Sequence, residues 1–295
     1  MEHQRVIKRI FKSKSVLEGA GVRLKRAFGY NELPLFDPFL LLDDFRSTRV
    51  EHYIKGFPWH PHRGIETITY VLSGELEHGD SMGNTGIISA GDMQWMTAGS
   101  GIVHQEMPKG DGEERMEGFQ LWANLPASQK MTDPVYRSVN AVEIPELQLE
   151  NGTTVKVISG RMGEICGPVK NDFIDPGYFD ITLEPGTTYK HQTSEGYTVF
   201  VYVIAGRGIF GKTKGAHEQE YDNETLLLYK DGNYISVSTA QSGVRFLLIS
   251  GKPIGEPIAW LGPIVMNTEE ELTLAFDEYR KHIFIKYPRG WTKKK

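Results

Sequence analysis

Two short strings, His60-Pro61-His62 and His104-Gln105-Glu106, each place two metal-type side chains one residue apart. In an extended segment residues i and i+2 point to the same face, so each string aims both donors one way, and two such strands can close one site between them. Three imidazoles and a carboxylate form a borderline nitrogen and oxygen set, suited to iron, zinc, copper, nickel, cobalt or manganese rather than to a thiolate-seeking or all-oxygen ion. An open coordination position would make it a site of reaction. One string alone is better explained by histidines hydrogen-bonded on a half-buried strand. Two of them hold three of the nine histidines beside glycine-rich turns, and together they favour the metal.

The elements that must carry these residues read as strands. With 32 Gly and 15 Pro, turn signals punctuate the chain every eight to twelve residues between short β-rich runs such as 67–72, 119–123, 198–204 and 245–250. The expected fold is all-β, of the barrel or sandwich kind. One helix stands apart: Thr268 and Glu271 make a capping box, and Leu272, Ala275, Phe276, Tyr279 and Ile283 form a stripe at helical spacing, expected to pack on the second half of the chain.

Tyr70-Val71-Leu72-Ser73-Gly74 recurs as Tyr202-Val203-Ile204-Ala205-Gly206, each ending at a glycine turn, so the halves read as duplicated barrels. The expected division is 1–138, with the metal site, and 139–295, ending in the helix. Aligned on the shared glycine, His60, His62 and Glu66 fall opposite Gln192, Ser194 and Thr198, none of them a good metal ligand. The metal chemistry therefore belongs to the first half alone, and the second is expected to be structural or regulatory.

The composition excludes several classes. Lys+Arg 33 against Asp+Glu 38 gives a net charge of −5, so no global basic field recruits nucleic acid, and the basic runs around Lys8 to Lys14 and Lys293 to Lys295 read as solvated tails. The single cysteine, Cys166, forbids an intrachain disulfide and fits a reducing compartment. No apolar leader or membrane-length apolar run is present, and the expectation is a soluble, cytoplasmic monomer. Gly19-Ala20-Gly21-Val22-Arg23 starts like a dinucleotide fingerprint but lacks its third glycine and a following amphipathic helix, so no nucleotide cofactor is implied.

The segment Gly56 to Thr67, with His60-Pro61-His62-Arg63-Gly64 at its centre, and the segment Gly91 to Pro108, with Gly101-Ile102-Val103-His104-Gln105-Glu106 near its end, resemble the two signature motifs of the pirin family within the cupin superfamily. Asp37 to Phe45 and Gly262 to Thr268 resemble its early and late strands, so the likeness spans nearly the whole chain. The resemblance implies a bicupin with one divalent metal in the N-terminal barrel, Fe(II) first and Zn, Mn, Ni, Co or Cu as alternatives, held by His60, His62, His104 and Glu106. Ordinary cupins take their glutamate from the first motif, here Glu66; the i+2 spacing favours Glu106 and leaves Glu66 to orient a ligand.

The family resemblance further implies a quercetin 2,3-dioxygenase, which opens a flavonol with O2 and releases carbon monoxide, with Glu106 accepting the hydroxyl proton. An alternative is a non-catalytic, iron-dependent, redox-sensing regulator that binds a protein partner. Where many members carry an acidic residue before the first ligand histidine, this chain has Trp59, expected to add aromatic surface near the mouth. Phe45, Phe57, Trp59, Met93, Trp95 and Trp122 are candidates to line an apolar cleft, although most are expected to be ordinary barrel core. Arg63 and Lys109, close in sequence to the ligands, are expected to be solvated surface charges.

Overall fold

Strands such as Ile102–Lys109 and Tyr234–Ser238 alternate buried with less buried residues, while others such as Phe39–Asp44 and Thr225–Tyr229 are buried along their whole length. The computed structural model describes residues 2–171, 173–211 and 219–286, so the Lys293–Lys295 run lies outside the described residues. The chain forms two β units, one made of Ser15–Ala141 with the segment from Ile254 onward, the other of the segment up to Lys14 with Val142–Pro253. Among the described residues no helix is long and apolar enough to cross a membrane.

The unit that carries both motifs contains two sheets. One has seven strands in the order Val135–Val139, Met93–Thr97, Ile65–Ser73, Glu117–Asn124, Phe39–Asp44, Val22–Phe28 and Lys14–Glu18; the other has four, in the order Phe57–His62, Ile102–Lys109, Glu75–Asp80 and Thr85–Ile88. Phe57–His62 carries Pro58 and Pro61, which cannot donate to a ladder, and it accordingly lies at an edge. Val22, Leu24 and Val71 from the larger sheet pack with Leu76 and Ile88 from the smaller in one buried cluster.

The other unit is organised on a path of strands from Ile7–Lys12 through Thr225–Tyr229, Thr198–Ile209, Val244–Gly251 and Gly177–Leu183 to Thr154–Ser159 and Glu146–Gln148. Its core is rich in β-branched residues, including Val155, Val157, Ile181, Val199, Val201 and Val203, which suit a half-buried pleated surface. The repeat is visible in the backbone. Gly74 and Gly206 both have positive φ, and a Cβ would lie 2.8 Å from the carbonyl oxygens of Arg115 and Lys109 at the first and 2.0 Å from that of Gly243 at the second. Gly74 separates two strands, whereas Gly206 sits inside the continuous strand Thr198–Ile209 rather than ending it.

The ends of the chain are allotted differently from the expected division into 1–138 and 139–295. Ile7–Lys12 completes the sheet of the second unit by pairing with Thr225–Tyr229, which satisfies an edge that would otherwise leave backbone groups open. The C-terminal segment belongs to the first unit, where the Val265 amide donates to the Arg63 carbonyl at 3.1 Å and Val265 packs with Ile65, Ala98 and Ile102. The helix Glu269–Arg280 forms where the capping box places it, Thr268 Oγ1 accepting from the Glu271 amide at 3.2 Å and Glu271 Oε2 from the Thr268 amide at 3.1 Å. It packs on Ala259–Leu261 and Ile264–Met266, in the second half of the chain as its sequence position suggests, but that segment belongs to the first unit. Leu272 and Ala275 are buried against Ile264 and Met266, while Tyr279 and Ile283 remain exposed because the contact covers a narrower stripe than the sequence pattern offers.

Candidate metal centre

The two motifs are adjacent antiparallel strands. Phe57–His62 pairs with Ile102–Lys109 so that His60 faces His104 and His62 faces Ile102; two residues, Pro58 and Trp59, then oppose Gln105, and Glu106 comes opposite Phe57. This bulge bends the edge strand just before its first histidine. The three imidazoles converge, with ring centroids 4.3 Å apart for His60 and His104, 4.9 Å for His60 and His62, and 5.0 Å for His62 and His104. One ring nitrogen from each lies within 4.8 Å of the others.

Backbone carbonyls set the tautomers. Pro58 O is 2.9 Å from His60 Nδ1 and Pro263 O is 3.0 Å from His62 Nδ1, and a carbonyl only accepts, so each Nδ1 carries the proton and each Nε2 presents a lone pair. Those two Nε2 atoms are 3.1 Å apart, a spacing that a shared cation satisfies and two neutral lone pairs do not. Neither ring nitrogen of His104, which is completely buried, has a partner among the described residues, so it is a polar group awaiting one. Burial pushes His62 and His104 well below the ordinary imidazole value and lowers His60 against the opposing charge of Glu106. All three are therefore neutral at neutral pH, the form that ligates a metal. The residues present fit a divalent transition metal.

Glu106 lies outside the trio of close nitrogens. Its buried carboxylate accepts from Thr69 Oγ1 at 3.2 Å and from Gln120 Nε2 at 3.1 and 3.3 Å, while Gln120 Oε1 accepts from Trp122 Nε1 at 3.0 Å. Trp122 fixes which end of the Gln120 amide donates, and Gln120 in turn orients the carboxylate. Gln120→Leu is expected to weaken metal binding roughly tenfold, in line with losses of supporting hydrogen bonds at other metal centres; chelator competition measures it, and unchanged affinity would remove Gln120 from the site.

Glu66 does not share this arrangement. Thr69 reaches Glu106 from one face of Ile65–Ser73, and Glu66 is three positions away on the opposite face, where its carboxylate accepts from Thr97 Oγ1 at 2.7 Å.

His78 escaped the sequence reading. It is buried on Glu75–Asp80 opposite Glu106, its ring centroid is 5.4 Å from that of His104, and Asp80 Oδ2 is 3.6 Å from its Nε2. The alternation of His78 and Asp80 was the available signal, but only strand pairing brings it beside the motif.

His60 and His62 open onto a cleft of about 710 Å³. Phe57, Leu41, Trp122, Trp260 and Tyr30 wall it, and Arg26, Asp43 and Glu18 form an ionic group on its lining. Trp122 meets His62 edge-on at 4.9 Å, Trp260 lies 5.9 Å from Trp122, and Tyr30 lies 5.7 Å from Trp260. Of the six aromatic and methionine candidates, only Phe57 and Trp122 line the cleft. Phe45, Met93 and Trp95 are buried core, and Trp59, 50% exposed, is outside the lining because, next to His60 on an extended strand, it points to the opposite face.

Arg63 is the largest departure from expectation. It is 2% exposed, donating from Nε to Ser100 O at 2.7 Å and from Nη2 to Phe284 O at 2.9 Å, pairing with Glu278 at 2.8 Å, and lying 4.2 Å from the centre of the Phe284 ring. Lys109, by contrast, is exposed, 3.6 Å from Glu75.

Comparison with known proteins gives a consistent result. Residues 21–123 match the family model described as Pirin, and residues 178–285 match that of the pirin C-terminal cupin domain. A pirin-like protein of Caulobacter vibrioides is 42% identical over 95% of this chain and 99% of its own length. Pirin-1 of Arabidopsis thaliana is 41% identical over 93% and 92%. The crystal structure of a quercetin 2,3-dioxygenase from Acinetobacter baumannii superposes with a TM-score of 0.85 and 32% identity, covering 95% of this chain and 98% of that one.

Proposed function

The chain belongs to the pirin family, with two cupin-type β units in tandem, and from that premise we propose that it is a metal-dependent dioxygenase that opens a flavonol such as quercetin with O2 and releases carbon monoxide. The observation that carries this reading is the placement of His60 and His62 at an aromatic-walled cleft of about 710 Å³, within the size range of pockets for flat drug-sized molecules. The name of the Acinetobacter baumannii structure supports the same reaction class.

In this reading His60, His62 and His104 hold the metal and Glu106 completes the set, with Fe(II) the first assignment. When bound, the metal supplies Lewis acidity that lowers the pKa of the flavonol hydroxyl. The rest falls to the chain. Trp122, Trp260 and Tyr30 stack the planar rings and exclude water, and Arg26 with Asp43 offers polar anchoring to ring hydroxyls. Glu106, held by Thr69 and Gln120, accepts the hydroxyl proton, since the neutral imidazoles have their lone pairs committed.

Oxygen uptake together with carbon monoxide release on quercetin, measured on iron-loaded protein, tests the proposal. Consumption of both substrates with gas release is the expected result. Iron-loaded protein inert toward a panel of flavonols would overturn it in favour of a redox-sensing regulator that binds a protein partner. Glu106→Gln separates the two roles of that residue: if it is the base, metal content persists while turnover falls about 100-fold or more.

A further inference from the structure

The second unit has Gln192 and Ser194 where the first has His60 and His62, and it holds a cavity of its own. Gln192 and Ser194, which the repeat sets opposite His60 and His62, line a space of about 390 Å³ together with Arg161, Lys170, Phe179 and His191. Among the described residues the only group of three or more metal-type donors is the His60, His62 and His104 cluster, and what this cavity offers instead is hydrogen-bond donors.

Its donors have another character. His191 is 6% exposed, and its Nδ1 is 2.7 Å from Tyr189 Oη. Burial raises the Tyr189 phenol, which therefore keeps its proton, and the nearby alternative acceptor, Met162 Sδ at 3.9 Å, is a weak one. Tyr189 accordingly donates to Nδ1, and the ring proton sits on Nε2, the nitrogen that Tyr189 leaves unengaged. Burial also pushes His191 down to about 4, so at neutral pH it is an uncharged donor. Arg161 and Lys170 line the same space from exposed positions, and neither has a carboxylate partner among the described residues. The carboxylate of Asp175, also in the lining, accepts from Tyr197 Oη at 2.9 Å. Phe179 and Tyr197 provide an apolar wall.

We propose that this cavity is a second small-molecule site, taking an organic carboxylate whose anionic head is bound by Arg161, Lys170 and His191 and whose apolar body lies against Phe179 and Tyr197. A guanidinium matches the planar carboxylate through paired N–H donors, an ammonium adds a point charge, and a buried neutral N–H adds direction. Duplication has thus left two pockets of opposite preference, one for a cation and one for an anion. This site stands independently of the reaction proposed for the first unit.

Benzoate serves as the probe and benzamide as its neutral counterpart, each titrated calorimetrically into the full chain. Saturable binding of benzoate is expected, with benzamide weaker by about tenfold or more. Arg161→Gln/Lys170→Gln, which alters exposed side chains and leaves the core untouched, should weaken benzoate by about tenfold or more, and His60→Ala/His104→Ala should leave it unchanged. The proposal is overturned by absence of binding at about 10 mM benzoate, by equal affinity for benzamide, or by indifference to the Arg161 and Lys170 changes. Loss of binding in the His60→Ala/His104→Ala protein would also overturn it, by placing benzoate at the metal centre. Displacement of benzoate by an equal concentration of inorganic phosphate would replace the organic carboxylate by a phosphate ligand and so defeat the assignment.

Discussion

Protein carrying His60→Ala and His104→Ala together is expected to retain no stoichiometric transition metal after purification without added metal, whereas the unaltered chain carries about one per chain. The two histidines face each other across the strand pair, so their removal opens the centre from both strands at once. His62 and Glu106 alone are then too few donors for a borderline divalent ion, which usually takes at least three protein ligands. Elemental analysis reads the result directly, and stoichiometric metal in the double variant would refute the site. A second readout comes from stability. Because a metal held by the folded state adds RT ln(1 + [L]/Kd), chelation should cost the unaltered protein about 4 kcal/mol if free metal stood at a thousand times Kd. The same chelator should leave the melting of the double variant unmoved.

Arg63→Met is expected to destabilise the first unit by about 3–5 kcal/mol, the cost of breaking a buried ion pair from one side. Methionine fills much of the space of the arginine stem but leaves the Ser100 and Phe284 carbonyls without their donor and Glu278 with Lys286 as its remaining cation, at 2.7 Å. A fall in Tm of roughly 10 °C corresponds to that loss for a chain of this size. Arg63→Lys should rescue little, because an ammonium cannot serve two carbonyls and a carboxylate from one fork. The pair also sets a pH dependence. Burial alone would raise the Glu278 carboxyl, but Lys286 and Arg63 outweigh it and hold the group below the usual carboxylate range. Its contribution is therefore fully present at neutral pH, above the unfolded value, and is lost as pH falls through the lowered folded value. A change within about 0.5 kcal/mol, as expected for a solvated surface charge, would show that the buried network contributes nothing.

The position of Arg63 explains why this matters for the centre. It follows His62 directly, and its carbonyl accepts from Val265 in the segment that also brings Pro263 O to His62 Nδ1. The C-terminal helix is thus tied through Glu278 and Arg63 to the strand that bears two of the candidate ligands. In the sequence Arg63 is simply an arginine beside a histidine motif, and a charge next to a turn reads as surface. What makes it buried is a carboxylate more than two hundred residues away, together with two carbonyls and an aromatic ring.

Short-range geometry made other features readable. Strand alternation places His60 with His62 and His104 with Glu106 whatever the rest of the fold does, because the period of two is a property of extended backbone. The capping box at Thr268 is similarly local, and the helix starts where it predicts. The bulge opposite Gln105 is not local, since it requires the partner strand to exist. His78 and Gln120 reach the centre from a neighbouring strand and from the facing sheet, so no spacing along the chain could have paired them with Glu106.

By itself, then, the sequence determined the all-β class and which candidate donors share a strand face, each a matter of residue type and separations of a few positions. Tertiary structure alone decided which lone pairs face inward, through the carbonyls of Pro58 and Pro263. It also gave Glu106 its hydrogen-bond partners, buried Arg63, and assigned the two chain ends to opposite units. The physical reason is the same in each case. Buried polar groups and sheet edges must find partners, and those partners are chosen by what lies nearby in space rather than along the chain.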